Sequence, residues 1–203
     1  MKVIGLTGPS GAGKTLAAEI FAAFGVPTID ADAVYHDILA RGDDCTKELA
    51  AAFGREILDK NGLVSRRALA NTVFGKPDTP TLLHTLNTIT HKYVMSDIKK
   101  MLSSMAAAGI SAVLLDAPLL FEANAQTLCD VVIALLAPYS QRLSRIIERD
   151  GIDEAAAAKR LAAGKDDAFY RSRCGYILEN DGNKAALTDK IKKLLMETGV
   201  VVV

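Results

Sequence analysis

The chain has 203 residues, half of them hydrophobic, and its 24 Lys+Arg are balanced by 24 Asp+Glu. That length suits one domain with room for an inserted subdomain, and the zero net charge gives no broad field for nucleic acid or an anionic membrane. No stretch reaches the roughly 18 uncharged apolar residues a membrane span requires. The three cysteines, Cys45, Cys129 and Cys174, match neither a disulfide framework nor a zinc spacing. A reduced, cytoplasmic protein with small apolar thiols is expected.

Lys2 leads straight into the apolar run Val3-Ile4-Gly5-Leu6, so a first strand is predicted at 2–7 and no removable leader is expected. Residues 8–15, Gly-Pro-Ser-Gly-Ala-Gly-Lys-Thr, then fill the pattern G-x-x-x-x-G-K-[ST] without a gap. The pattern works where a strand ends in a tight loop and a helix begins, because backbone N–H groups then converge on a phosphate at the helix's positive end. Residues 16–24 supply that helix and Gly25 its stop. Gly8, Gly11 and Gly13 permit approaches that a Cβ forbids. Lys14 is expected to reach the β- and γ-phosphates, and the Thr15 hydroxyl to ligate Mg²⁺. The sequence therefore points to a nucleoside triphosphate.

Further strands are predicted at 27–30, 111–116, 130–135 and 176–179, and the closing residues 200–203, all valine, read as a last strand. Continuous β-branched or Leu-rich runs are the mark of strands buried on both faces. Their alternation with helices predicts an α/β, P-loop NTPase-type doubly wound parallel sheet with right-handed crossovers. From 33 to 109 the pattern is almost wholly helical, broken at Arg41-Gly42-Asp43-Asp44, Asn61-Gly62 and Gly75-Lys76-Pro77. No crossover needs so much chain, so an inserted helical substrate subdomain is expected there. The core is then 1–32, 110–137 and 174–203, and a second helical excursion at 138–173 is dense in arginine.

Asp30-Ala31-Asp32 falls at the end of the second strand, where ligands gather in parallel sheets. Asp30 reads equally as a cap and as a chemical group. Asp32 can cap the helix that follows, but its place favours a carboxylate that takes the proton of an attacking hydroxyl; the two roles are compatible. Ala112-Val113-Leu114-Leu115-Asp116 is an apolar strand ending in an acid, suited to Mg²⁺ or its waters. The apolar stretch after it, with Leu119 and Phe121, either packs under the helical subdomain or walls a ligand pocket. Arg142, Arg145 and Arg149 share one helical face. Such a face is commonly solvated, with Glu148 and Asp150 neutralising part of it. Beside a triphosphate it also fits an Arg-rich helical lid, with Arg145 as the main contact. Arg66, Arg67, His84 and His91 in the insertion carry little weight singly.

Taken in order, these segments resemble dephospho-coenzyme A kinases. The resemblance rests on Gly5-Leu6-Thr7-Gly8 with the loop, Ile29-Asp30-Ala31-Asp32, Arg66-Arg67-Ala68-Leu69 and residues 86–91. It continues through Pro118-Leu119-Leu120-Phe121-Glu122, Arg142-Leu143-Ser144-Arg145 and residues 176–180. It implies ATP-dependent phosphorylation of the ribose 3′-hydroxyl of dephospho-CoA, with ATP and Mg²⁺. The implied catalytic groups are Asp32, Lys14 and Arg145. Nucleotide contacts would come from Gly8, Gly11, Ala12, Gly13, Lys14, Thr15, Leu16 and Arg145. Acceptor contacts would come from Asp32, Arg67, His91, Leu119 and Phe121, and metal contacts from Thr15 and Asp116. Partners would be small molecules only, with neither nucleic acid nor membrane, in a monomer or weak homo-oligomer. Lys92, Gly164 and Pro9-Ser10 depart from the family pattern. Another small-molecule or nucleoside monophosphate kinase is the alternative. A nucleotide-dependent switch fits less well, since no N-K-x-D motif follows: Asn183-Lys184 continues as Ala185-Ala186.

Overall fold

The computed structural model describes residues 1–200; the strand expected at 200–203 falls, beyond Val200, outside them. Two compact units emerge, one of Met1–Ile29 with Ser104–Val203 and one of Asp30–Ser103.

The first unit carries the sheet. Its strands are β1 (Lys2–Thr7), β2 (Thr28–Asp30, whose last residue begins the second unit), β3 (Ala112–Asp116), β4 (Val131–Leu136) and β5 (Tyr176–Glu179). The order is β2-β3-β1-β4-β5, with β1 parallel to both β3 and β4 and β4 parallel to β5. β1 is central, with Ile4 facing both Leu114 and Val131 in register. β2 starts after Pro27, which has no N–H to give a ladder, although its carbonyl accepts from the Leu114 N–H at 2.8 Å.

Successive strand residues point to opposite faces, and both faces here are covered. Ile4, Leu6, Leu114, Ile133 and Leu135 pack with α1 (Lys14–Ala23) and the later helix Lys184–Glu197 through Phe21, Leu187 and Ile191. On the other face Ala134 and Leu136 meet Tyr170. This is why the strands read as unbroken apolar runs.

The second unit is built from α2 (Ala31–Ala40), α3 (Asp44–Phe53), α4 (Arg66–Val73) and most of α5 (Thr79–Ala107). The breaks expected at Asn61-Gly62 and Gly75-Lys76-Pro77 fall between helices, and the one expected at 41–44 does so up to Asp44, which opens α3. Gly42, Gly62 and Gly75 take φ values of 69°, 77° and 78°, and Asp43 caps α3 by accepting from the Cys45 N–H. One departure from an all-helical reading is a small antiparallel bridge, Leu58 to Val64, closed through the Asp59 side chain, which accepts from Asn61 and Leu63. An aspartate that bonds its own backbone two residues on builds a turn, not a helix. Lys92 on α5 is ion-paired with Glu48 on α3 at 2.7 Å, and Tyr93 donates to the same carboxylate.

The remaining helices belong to the first unit: α6 (Tyr139–Asp150), α7 (Glu154–Ala162), α8 (Asp167–Arg171) and α9 (Lys184–Glu197). Among the described residues no helix is long and apolar enough to cross a membrane.

Candidate active site

The loop 8–15 joins β1 to α1 at the point where the sheet order turns from β3 on one side to β4 on the other. Open parallel sheets bind ligands at such a switch point. Gly8 has φ 145°, and a Cβ there would run into the Leu135 carbonyl of β4. Gly11 has φ 77°, and its Cβ would lie 2.6 Å from the Arg142 carbonyl oxygen. Both positions therefore require glycine for space as well as for backbone conformation. Gly13 is the N-cap of α1 in the left-handed region and offers no side-chain cap. The first-turn N–H groups of α1 are thus left to bind an anion, helped by the helix dipole. Lys14 opens the helix, with Nζ donating to the Gly8 carbonyl at 2.9 Å, so the ammonium lies folded over the loop. Thr15 follows it and is exposed.

Asp116 ends β3 in register with Leu6, one residue before Thr7, whose hydroxyl donates to the Pro118 carbonyl at 3.4 Å. The acid is half-buried at the carboxyl end of a strand next to the loop's own. The apolar stretch after it is divided in its use. Leu120 is fully buried, Leu119 is 48% exposed, and the Phe121 ring meets Phe169 of α8 edge-on with centroids 5.6 Å apart. Phe169 in turn packs edge-on against Tyr170 and carries the Arg173 guanidinium 4.2 Å over its face. Burial, followed by the Glu122 charge, pushes the Tyr170 phenol up to about 12. The stretch is therefore joined to α8 within the first unit.

The three arginines of α6 part company. Arg142 lies 3.5 Å from the Asp167 carboxylate. Arg145 is half-buried and donates to the Gly11 and Ala12 carbonyls at 3.1 and 3.2 Å, while Gln141 accepts from its other nitrogen at 3.0 Å. Arg149 pairs with Asp150, which also takes Arg160. Those arginines hold the Asp150 carboxyl below its ordinary range, Arg149 most strongly. The charge row is thus neutralised at its far end, as Asp150 suggested, and at its middle it grips the phosphate loop. Sequence reasoning gave no role to Asn180, whose amide donates to the Ala12 carbonyl of the loop, or to Gln141, which accepts from Arg145. Gln141 lies one helical turn before the arginine it holds, whereas the partner of Asn180 is 168 residues away and no local spacing signals it.

In the second unit, Asp30 caps α2: its Oδ1 accepts from the N–H groups of Asp32 and Ala33 at 2.9 and 3.1 Å. The cap belongs to Asp30, and Asp32 stands exposed in the first turn of α2. Tyr35 and His36 lie one turn further on, with ring centroids 5.7 Å apart. They line a groove of about 400 Å³ with Arg66, Arg67, Leu69, Ala70, Phe74 and Leu86. Ser65 caps α4 by accepting from the Ala68 N–H, and this places both arginines in the helix's first turn. Each is exposed, and neither makes an ion pair among the described residues. Burial, then Cys45, raises the Tyr35 phenol above its ordinary value, with Arg66 opposing. His91 is half-buried on α5 and does not line this groove. Tyr35, His36 and Phe74 were not singled out from the sequence, because the groove exists only once α2, α4 and α5 are packed. Among the described residues no three His, Cys, Asp or Glu side chains gather as a metal cluster.

A parallel sheet of this order, a phosphate loop after its central strand, an uncapped helix start and a folded-over lysine define a P-loop kinase. The sequence profile of dephospho-CoA kinases matches residues 2–186, and the chain belongs to that family. A dephospho-CoA kinase of Anaeromyxobacter dehalogenans is 34% identical over 97% of this chain and 92% of its own. One of Arabidopsis thaliana is 32% identical over 97% and 84%. Among solved structures, TT1252 from Thermus thermophilus superposes with a TM-score of 0.79 at 30% identity, covering 97% of each chain. The reaction of the family is ATP-dependent phosphorylation of dephospho-CoA, in coenzyme A biosynthesis, and it is the activity of this enzyme.

Proposed function

We propose that the chain moves the γ-phosphoryl group of ATP to the ribose 3′-hydroxyl of dephospho-CoA, with Lys14, Arg145 and Asp32 as the groups that do the work. The carrying observation is the uncapped start of α1 with Lys14 Nζ folded over the loop at 2.9 Å. Phosphoryl transfer passes through a loose transition state whose charge sits on the phosphate oxygens, so catalysis is mainly positioning and charge stabilisation. Lys14 and the N–H groups from Gly11 to Leu16 would hold the β- and γ-phosphates. Arg145 adds positive charge beside the loop and fixes its shape. Asp32, in the first turn of the helix that Asp30 caps, would orient the hydroxyl and accept its proton as the new P–O bond forms.

For the acceptor, two arginines without carboxylate partners on an aromatic-lined groove suit a diphosphate carried on an apolar arm. Arg67 is assigned there, and His91, Leu119 and Phe121 are proposed as further acceptor contacts. Residues 33–109 would form the acceptor-binding insertion and 138–173 the lid. A Mg²⁺ fits the donors present, an exposed threonine hydroxyl at Thr15 and a strand-end carboxylate at Asp116, since Mg²⁺ favours few protein oxygens and several waters. When bound it would neutralise phosphate charge. A cytoplasmic enzyme, monomeric or weakly self-associating, that acts on small molecules alone completes the proposal. The test is ADP release measured with dephospho-CoA against nucleosides, nucleoside monophosphates and small alcohols. Turnover confined to dephospho-CoA is expected; equal turnover of a nucleoside monophosphate would overturn the acceptor.

A further inference from the structure

Asn180 follows the last residue of β5 and is 3% exposed, one of few buried polar side chains among the described residues. Its own N–H donates to the Leu136 carbonyl at 2.7 Å, which pins it to the end of β4. Its Nδ2 donates to the Ala12 carbonyl at 2.8 Å, across 168 residues of chain. The same Ala12 oxygen accepts from Arg145 at 3.2 Å. In a trans peptide the C=O and the next N–H point to opposite sides, and this chain has no cis peptide among its described residues. Holding the Ala12 oxygen toward Asn180 and Arg145 therefore turns the Gly13 N–H the other way. Gly13 also accommodates the amide closely: a Cβ there would lie 2.5 Å from Nδ2.

We propose that Asn180 is a positioning residue for phosphate binding: through the Ala12 carbonyl it presets the Ala12–Gly13 peptide so that its N–H faces the nucleotide phosphates. A neutral amide suits this task, because it donates to the carbonyl without competing with Lys14 for the phosphates. The proposal rests on the loop 8–15 as the phosphate site. It differs from a purely structural role, in which the amide is buried only to be satisfied, and from contact with the nucleotide base.

The test replaces Asn180 by leucine, which keeps the volume and removes the donor, and by serine in case the first variant folds poorly. Affinities for ATP, inorganic tripolyphosphate and adenosine are measured by calorimetry, with the Michaelis constants for both substrates. ATP and tripolyphosphate affinity should each fall about tenfold, the usual worth of one well-placed buried hydrogen bond. Adenosine affinity and the dephospho-CoA KM should hold. A lower melting temperature with unchanged tripolyphosphate affinity would show a structural role and overturn the proposal. Loss for ATP and adenosine with none for tripolyphosphate would show base contact and overturn it equally. Lys14→Ala, measured alongside, tests the site itself: if it leaves tripolyphosphate binding intact, the loop is not the phosphate site.

Discussion

Lys14 and the two aspartates at the start of α2 divide their labour residue by residue. Lys14 donates to the Gly8 carbonyl of its own loop and belongs to no hydrophobic core cluster, so its loss is chiefly a loss of charge. Lys14→Ala should lower kcat/KM by roughly 10²–10³-fold or more, the scale of other electrostatic catalytic groups. Circular dichroism and melting temperature should stay unchanged. Asp30 gives α2 its cap, and Asp30→Ala should destabilise the protein by about 1 kcal/mol while touching the rate little. Asp32→Asn should do the reverse: unchanged melting, with kcat down roughly 10²–10⁴-fold, the range of general-base catalysis. Paired thermal scans and steady-state kinetics read both. If Asp30→Asn slows a stable enzyme more than Asp32→Asn does, the assigned carboxylate is the wrong one.

At the level of elements, α6 matters most, since one helix carries Arg142, Arg145 and Arg149 to three different duties. Removing Arg145 strips the Gly11 and Ala12 carbonyls of a donor and the site of a cation. Arg145→Ala should depress kcat more than it raises the acceptor's KM, with ATP binding weakened as well. An unchanged kcat with only the acceptor KM raised would move Arg145 to the acceptor pocket. β1 and β5 match the sequence reading residue for residue, and β4 is displaced by a single residue. Apolar runs bounded by polar residues and glycine record burial locally, so they can be read without a fold. The duties of Arg145 cannot, because periodicity gives the face of a helix but not what that face meets. The same holds for Asn180 and for the groove around Arg66 and Arg67. Asp30 and Asp32 fall between these cases: capping was visible in the pattern, but only the backbone at Asp30, with ψ 110°, decides which acid caps.

Across the whole molecule, burial raises all three thiols, Cys129 to about 12 and Cys45 and Cys174 to about 11. Folding therefore favours the protonated thiol. The stability that follows is fully present below the unfolded thiol pKa, near 8.5, and fades as pH rises toward the folded values. Two outcomes are expected: slow alkylation of the native enzyme at pH 8 compared with the denatured chain, and a melting temperature that falls above about pH 9. Nucleotide should act in the opposite sense. A ligand at one hundred times its dissociation constant adds about 2.7 kcal/mol to the folded state. Removing ATP should therefore lower the melting temperature of the wild type and much less that of Lys14→Ala, as differential scanning fluorimetry would record.

The tight seat of Gly11 against the backbone of Arg142 has a mechanical consequence. With only 2.6 Å between a would-be Cβ and the Arg142 carbonyl, the first turn of α6 is a stator, clamped to the phosphate loop. Downstream of Arg145, Gly151 takes the left-handed turn between α6 and α7. Gly151 has open space around it, whereas Gly11 has none. The arginine-rich region therefore divides at Gly151: the part before the turn is held against the loop that it shapes, and α7 follows after it.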